Sequence, residues 1–281
     1  MRAQQRGVAI VLAMSVVALA ALTATSMLVS QSSWSRQVEL SAGHVQAQLL
    51  IRAGLDWSRA LLSDDRRTSN VDHLGEPWAL QLPPIPVENG SLAGRIEDQQ
   101  GRFNLNNLVK DGKLQEEQLA RFRRLLSILA LPAGLADALA ERLRTGGGPL
   151  TDTADLAQLQ GFDAQARARL RPFVAALPRY TAVNVNTATP EVLAALVKGL
   201  DLDSARAIAA QRERAYFRNF ADFFNLLPPG LALPPEDISV SSDYFIAAMK
   251  VRVSGAQAAA TALLARGNAG DWPAVVWSRP R

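Results

Sequence analysis

From Val8 to Val29 the chain reads VAIVLAMSVVALAALTATSMLV, and no charged residue follows until Arg36. A run of about 20 apolar residues is long enough to span a bilayer as a helix. Arg2 and Arg6 precede it and favour leaving that end on the cytoplasmic side. Apolar or small residues then recur at Val38, Ala42, Val45, Leu49, Ala53, Trp57 and Leu61, in steps of four and three. That spacing marks one face of a helix, the face expected to pack on the rest of the chain. Three readings of the N-terminus compete. Small residues around Ala18–Ala24 could serve as the A-x-A site of a cleaved signal peptide. The run could instead be a plain single-span anchor. In the third reading, membrane run and amphipathic segment form one continuous stem helix of about fifty residues.

The pattern changes after the stem. Ser63–Gly75 is polar and loop-like, and the prolines in Glu76-Pro77-Trp78-Ala79 and Leu82-Pro83-Pro84-Ile85-Pro86 exclude a helix. Ser91–Asp98 reads as a strand, with Gln99-Gln100-Gly101 as its turn. From Leu114 to Leu227 the periodicity is helical. Helices are predicted over Gln118–Ala130, Ala133–Arg144, Ala164–Ala176, Pro190–Lys198, Ser204–Ala215 and Phe220–Leu227. An offset of 69 residues aligns Ala136, Ala138, Leu139 and Ala140 with Ala205, Ala207, Ile208 and Ala209. Asn104-Leu105-Asn106 likewise has a counterpart in Asn184-Val185-Asn186, and two similar helical modules account for the repeat. Past the prolines at 228–235, Tyr244–Val253, Ala258–Arg266 and Trp272–Ser278 read as an antiparallel meander. It completes the sheet begun by Ser91–Asp98 and packs on the stem, an α+β layout.

Composition narrows the chemistry. Of 281 residues none is Cys, which excludes disulfides, thiolate nucleophiles and Cys-based metal centres. The two histidines, His44 on the stem and His73 in a polar loop, both read as solvated. They leave no material for a Ser-His-Asp triad or a multi-His metal site. Gly146-Gly147-Gly148-Pro149 lacks the Lys and Ser/Thr of a phosphate loop. The net charge of +4 includes Arg2 and Arg6 and forms no long basic run, which argues against nucleic acid. The stretch from Val183 to Phe223 nevertheless resembles helix-hairpin-helix DNA-binding units. Its hairpin, Lys198-Gly199-Leu200-Asp201, carries Asp in place of their second Gly, and Asp203 adds another carboxylate where a phosphate would sit. Asp152 with Asp155, Asp201 with Asp203, and Glu236-Asp237 with Asp243 are the acidic groups that could hold a cation, in competition with simple helix capping.

Gln5-Arg6-Gly7 followed by Val8 resembles the leader site of prepilins. The resemblance implies cleavage by prepilin peptidase between Gly7 and Val8, with N-terminal methylation of Val8 as the accompanying modification. Most of that superfamily has Glu at the fifth mature position, which here is Leu12. Glu76-Pro77-Trp78-Ala79, Ile96-Glu97-Asp98 and Gly101-Arg102-Phe103-Asn104-Leu105-Asn106-Asn107-Leu108 are similar, in order and spacing, to a series in the K-type minor pseudopilins of type II secretion. That family implies a type IV pilin-like fold with a long N-terminal helix and antiparallel sheet, interrupted by a large all-α insertion of helix-hairpin-helix or SAM-like character. The corresponding boundaries are a leader at 1–7, a transmembrane and stem helix at 8–62, pilin-domain parts at 63–108 and 236–281, and the insertion at 109–235. The implied function is non-enzymatic: a pseudopilus tip subunit that initiates or caps assembly and supports export of folded proteins from the periplasm. Implied partners are the I, J and H types, the inner-membrane secretion platform and prepilin peptidase. The implied location is the bacterial inner membrane, with a single pass and a periplasmic bulk. No cofactor is required, and calcium is the candidate ion, at Asp201, Asp203, Asp237 and Asp243. The alternative is a membrane-anchored helix-hairpin-helix protein binding DNA.

Overall fold

The computed structural model describes residues 2–81, 83–146 and 148–280 and, within the first helix, side chains from residue 10 onward apart from 11 and 32. Helix α1 (Arg2–Thr68) is one unbroken helix of 67 residues. It outlasts the predicted stem end at 62, because its last turn is closed from within. Arg67 pairs with Asp64, and the Thr68 hydroxyl donates to the Asp64 and Asp65 carbonyls at 3.3 and 3.0 Å.

Five antiparallel strands, β1 (Ile85–Val87), β2 (Gly90–Asp98), β3 (Tyr244–Val253), β4 (Ala256–Ala265) and β5 (Ala274–Pro280), form one sheet in sequential order. The β3–β4 hairpin turns through Ser254 and Gly255, both left-handed at φ 48° and 78°, as a two-residue hairpin of this twist requires. Two features of the proline-rich stretch differ from expectation. Pro77–Ala79 makes a single 3-10 turn with its proline at the start, where no amide hydrogen is needed, and Ile85–Val87 is an edge strand. The last two strands are also displaced by about two residues from their predicted positions.

Residues 99–243 fill the connection between β2 and β3. They contain α2 (Glu116–Ile128), α3 (Gly134–Arg144), α4 (Ala164–Leu170), α5 (Pro190–Leu196), α6 (Leu202–Arg214) and α7 (Phe220–Phe224). Asp163, Thr189, Asp201 and Asn219 cap four of these helices through their side chains. The predicted helix Ala164–Ala176 stops at Leu170, since Pro172 cannot continue it, and Val174–Ala175 pairs in parallel with Phe103–Asn104 instead. The predicted Phe220–Leu227 likewise ends at Phe224, four residues ahead of Pro228.

Two apolar cores form side by side, one around Phe122, Leu125 and Leu139, the other around Leu193, Ile208 and Phe223. The Asn-x-Asn segments make equivalent contacts. Asn104 and Asn184 accept from the amides of Asn106 and Asn186 at 3.1 and 2.9 Å. Asn106 exchanges two hydrogen bonds with Leu150, and Asn186 does the same with Phe217. Ala175, Leu177, Tyr244 and Leu263 fasten the helical region to the sheet face opposite α1.

Candidate assembly surface

The sheet covers a different face of α1 from the one the apolar stripe marks. Gly43, Ala47, Ile51, Gly54, Leu55, Ser58, Leu62 and Asp65 are the buried positions, and the apolar ones pack over Phe245, Ala247, Met249 and Val251. This face is built for close approach. A Cβ at Gly43 would stand 3.2 Å from that of Ala256, and one at Gly54 only 3.0 Å from the Met249 sulfur. Most larger side chains of the stripe stay in solvent, Val45 58% exposed, Leu49 59% and Trp57 50%, and only its last member, Leu61, packs against the stem–sheet core. The expectation that this stripe packs on the sheet is therefore corrected. Gly43, Ala47, Gly54 and Ser58 let the helix backbone sit near the strands, and Ile51, Leu55 and Leu62 fill the core between them. Beside the stripe, Ala53, Gly54 and Trp57 join Ile85, Leu92 and Met249 around an almost wholly apolar cavity of about 240 Å³.

Farther down, α1 is long and apolar enough to cross a membrane, and none of its most apolar stretch is buried in the chain. Leu12 lies on this stretch, 61% exposed. Gly7 and Val8, the expected processing positions, lie outside the residues whose side chains are described.

Where α1 ends, stem, loop, sheet and helical region meet on a buried charge cluster. Arg266, 4% exposed, donates to Asp65 at 2.7 Å and to Asp72, and its guanidinium lies 4.8 Å from the Phe245 ring centre. Glu76 accepts from the His73 amide at 2.9 Å and from the Trp78 indole at 2.8 Å. Asp98 accepts from Ser242 at 2.8 Å and from Asn184 at 3.1 Å, tying the second helical module to β2. Burial, reinforced by Glu76 and Asp72, raises the Asp65 carboxyl to about 7, and burial raises Asp98 to about 6. Glu76 is raised as well, again chiefly by burial. His73 is half-buried and stacks on Tyr216 at 4.0 Å, so its reading as a solvated loop residue is corrected, whereas His44 is exposed as expected.

The predicted cation ligands do not converge. Asp201 caps α6, accepting from the Ser204 amide and hydroxyl at 2.8 and 2.7 Å, and Asp203 pairs with exposed Arg206. Asp237 is buried against Arg121 at 2.7 Å, and Asp243 engages Gln100 and Arg266 through its backbone. Asp152 is held by Arg279. Among the described residues the one group of three carboxylates able to share an ion is Asp65, Asp72 and Glu76, and there Arg266 already supplies the positive charge. Nothing in the order of the chain brings a strand-end arginine to two acids some 200 positions earlier, so sequence reasoning missed this cluster. In the helix-hairpin-helix-like module, Asp201 occupies the helix N-terminus that would otherwise receive a phosphate.

Two family profiles described as type II secretion system protein K match residues 101–179 and 183–241. The type II secretion system protein K of Pseudomonas aeruginosa is 31% identical, over 96% of this chain and 91% of its own length. The chain belongs to the type II secretion system protein K family. Protein K of Aeromonas hydrophila is 28% identical over 94% of both chains, and that of Klebsiella pneumoniae 29% over 92% and 91%. A chain of the solved GspK-GspI-GspJ complex from enterotoxigenic Escherichia coli shares the fold at a TM-score of 0.73 and 23% identity, covering 89% of this chain and 99% of its own. As a protein K, the chain is a minor pseudopilin, a structural component of type II secretion, and the DNA-binding alternative finds no support.

Proposed function

We propose that this chain is a tip subunit of the pseudopilus that initiates or caps its assembly, so that folded proteins leave the periplasm. On this reading it acts by shape and position, with no catalysis and no cofactor. It sits in the bacterial inner membrane by a single pass of α1, with its head in the periplasm. Residues 1–7 are a leader removed by prepilin peptidase ahead of Val8. Residues 69–98 and 244–281 form a type IV pilin-like domain on the stem, which ends at Thr68, and 99–243, wider than the expected 109–235, is an insertion of two related helical modules.

The observation that carries the proposal is the stripe on α1 that the chain's own sheet leaves open. Val38, Val45, Leu49 and Trp57 continue the apolar character of the membrane run into the head. Another stem rising from the same membrane is the natural cover for such a surface. Each large side chain it buries contributes about 1.5–3 kcal/mol. The relative in the solved complex is named together with GspI and GspJ, which makes the I and J types the first candidates for that stem, with the H type and the secretion platform following. Leu12 fits the end position. A Glu inside hydrocarbon costs several kcal/mol unless a neighbouring subunit partners it, and Leu makes no such demand.

Co-purification from membranes with the I and J types tests the reading. Wild type should retain both, and V45E with L49E should lose them while melting at the wild-type temperature, since both residues are solvent-exposed. Full retention by the double variant would overturn it.

A further inference from the structure

The sheet face turned away from α1 is only partly closed by the helical region. Strand register places Arg95, Ala248, Thr261 and Arg279 in one outward row across β2 to β5, and Ala93, Lys250 and Ala259 in the next. Two cavities of about 300 and 330 Å³ lie over these rows and share Arg95, Ala248 and Thr261, so they make one trough. Ala93, Ala248, Ala259 and Thr261 make a floor of small side chains along these rows, Ile246, Leu263 and Trp277 bound its deeper end, and the rim is cationic. Arg95, Arg102, Arg171, Lys250 and Arg279 surround it, against the carboxylates of Glu97 and Asp152 alone. Glu97 pairs with Arg95 and Arg102, and Asp152 with Arg279, so the two acids offset part of this charge and leave a surplus of three cations. Arg171 and Lys250 are exposed and enter no ion pair among the described residues. A chain whose net charge is only +4, with no basic run, thus concentrates cations on one surface.

We propose that this trough binds an extended, acidic polypeptide segment. The dimensions favour a single strand of chain. Neighbouring strands are about 4.8 Å apart, so Arg95 on β2 and Arg279 on β5 stand about 14 Å apart. An extended chain advances about 3.3 Å per residue with alternate side chains on one side, so carboxylates four residues apart reach both ends of the row. Successive rows lie two residues apart along the strands, about 7 Å, the width of one backbone and far less than a nucleic-acid duplex. The small floor lets that backbone settle between the rims, and the surplus of cations, with Arg171 and Lys250 unpaired among the described residues, keeps the rim positive. The surface lies on the opposite side of the sheet from the stem stripe, so it stands whether or not the stem docks as proposed.

The test is fluorescence anisotropy of the full chain in detergent micelles with a labelled twelve-residue Ser/Val peptide bearing two Glu four apart. The peptide should bind in a salt-sensitive way, its Glu-to-Gln analogue should not, and one with the Glu residues three apart should bind more weakly. R171Q with K250Q, neither of which holds a structural ion pair, should weaken binding about tenfold, the worth of two surface ion pairs, at an unchanged melting temperature. Failure of the acidic peptide to bind, binding indifferent to R171Q and K250Q, or equal or tighter binding of a single-stranded DNA of matched charge would each overturn the proposal.

Discussion

Asp65 sits at the last turns of α1 with Asp72, Glu76 and His73 around it and one arginine, Arg266, to balance them. A carboxyl raised in the folded state keeps a proton that the unfolded chain has already released. Its stabilising contribution is therefore complete below about pH 4 and is lost as pH climbs through the folded value near 7. The melting temperature should accordingly be higher at pH 5.5 than at pH 8, and D65N should flatten that difference. An unchanged slope in D65N would show that Asp65 does not carry it. The Arg121–Asp237 pair has the opposite sign. Burial works to raise Asp237, but hydrogen bonds from Arg121, Tyr180 and Gln118 outweigh it and hold the carboxyl low, so this contribution is present above about pH 4 and lost in acid. Both partners are buried, Arg121 at 1% and Asp237 at 7% exposure. D237A should thus cost about 3 kcal/mol, measured by chemical denaturation at neutral pH, because it leaves a buried guanidinium with only the exposed Glu117 at 3.6 Å as counter-charge.

At the scale of elements, α1 carries two stripes with different tasks, and only one was legible. Val45, Leu49 and Trp57 stand out by hydrophobicity, so periodicity finds them. Gly43, Ala47, Gly54 and Ser58 make the closer contact and are invisible to a reading that weights large apolar side chains. G54L should clash with Met249 and lower the melting temperature, whereas A53L, on the open side, should leave it near the wild-type value. The long strands were legible for the converse reason: the alternation in Tyr244–Val253 matches a sheet buried on one face, and β3 has the predicted ends. Element ends failed where tertiary contacts decide them, as when Val174–Ala175 leaves its helix to pair with Phe103–Asn104. The paired Asn-x-Asn motifs were visible as text, but their shared work of bridging a distant loop to the turn after a short strand depends on contacts 31 and 44 residues apart.

For the whole molecule, the sequential strand order makes the helical region an excursion from a hairpin. The Gln99 amide donates to the Tyr244 carbonyl at 2.9 Å, and Asp98 lies opposite Phe245, so chain leaves and re-enters the sheet at one point. Replacing residues 100–243 with an Asn-Gly turn should leave the stem and sheet cooperatively folded, at a lower melting temperature for want of Asn184 and Ser242 beside Asp98. A non-cooperative melt would show the two parts to be inseparable. In the proposed single-pass arrangement, helix α1 joins all of this to the membrane without a break. From the end of the apolar run at Val29 to the first buried stem position, Gly43, it rises about 20 Å as a bare rod. Such a tether has no slack. Raising the head by one helical pitch, about 5.4 Å, withdraws a full turn of apolar helix from the bilayer, so any force on the head is felt at once as work against the lipid.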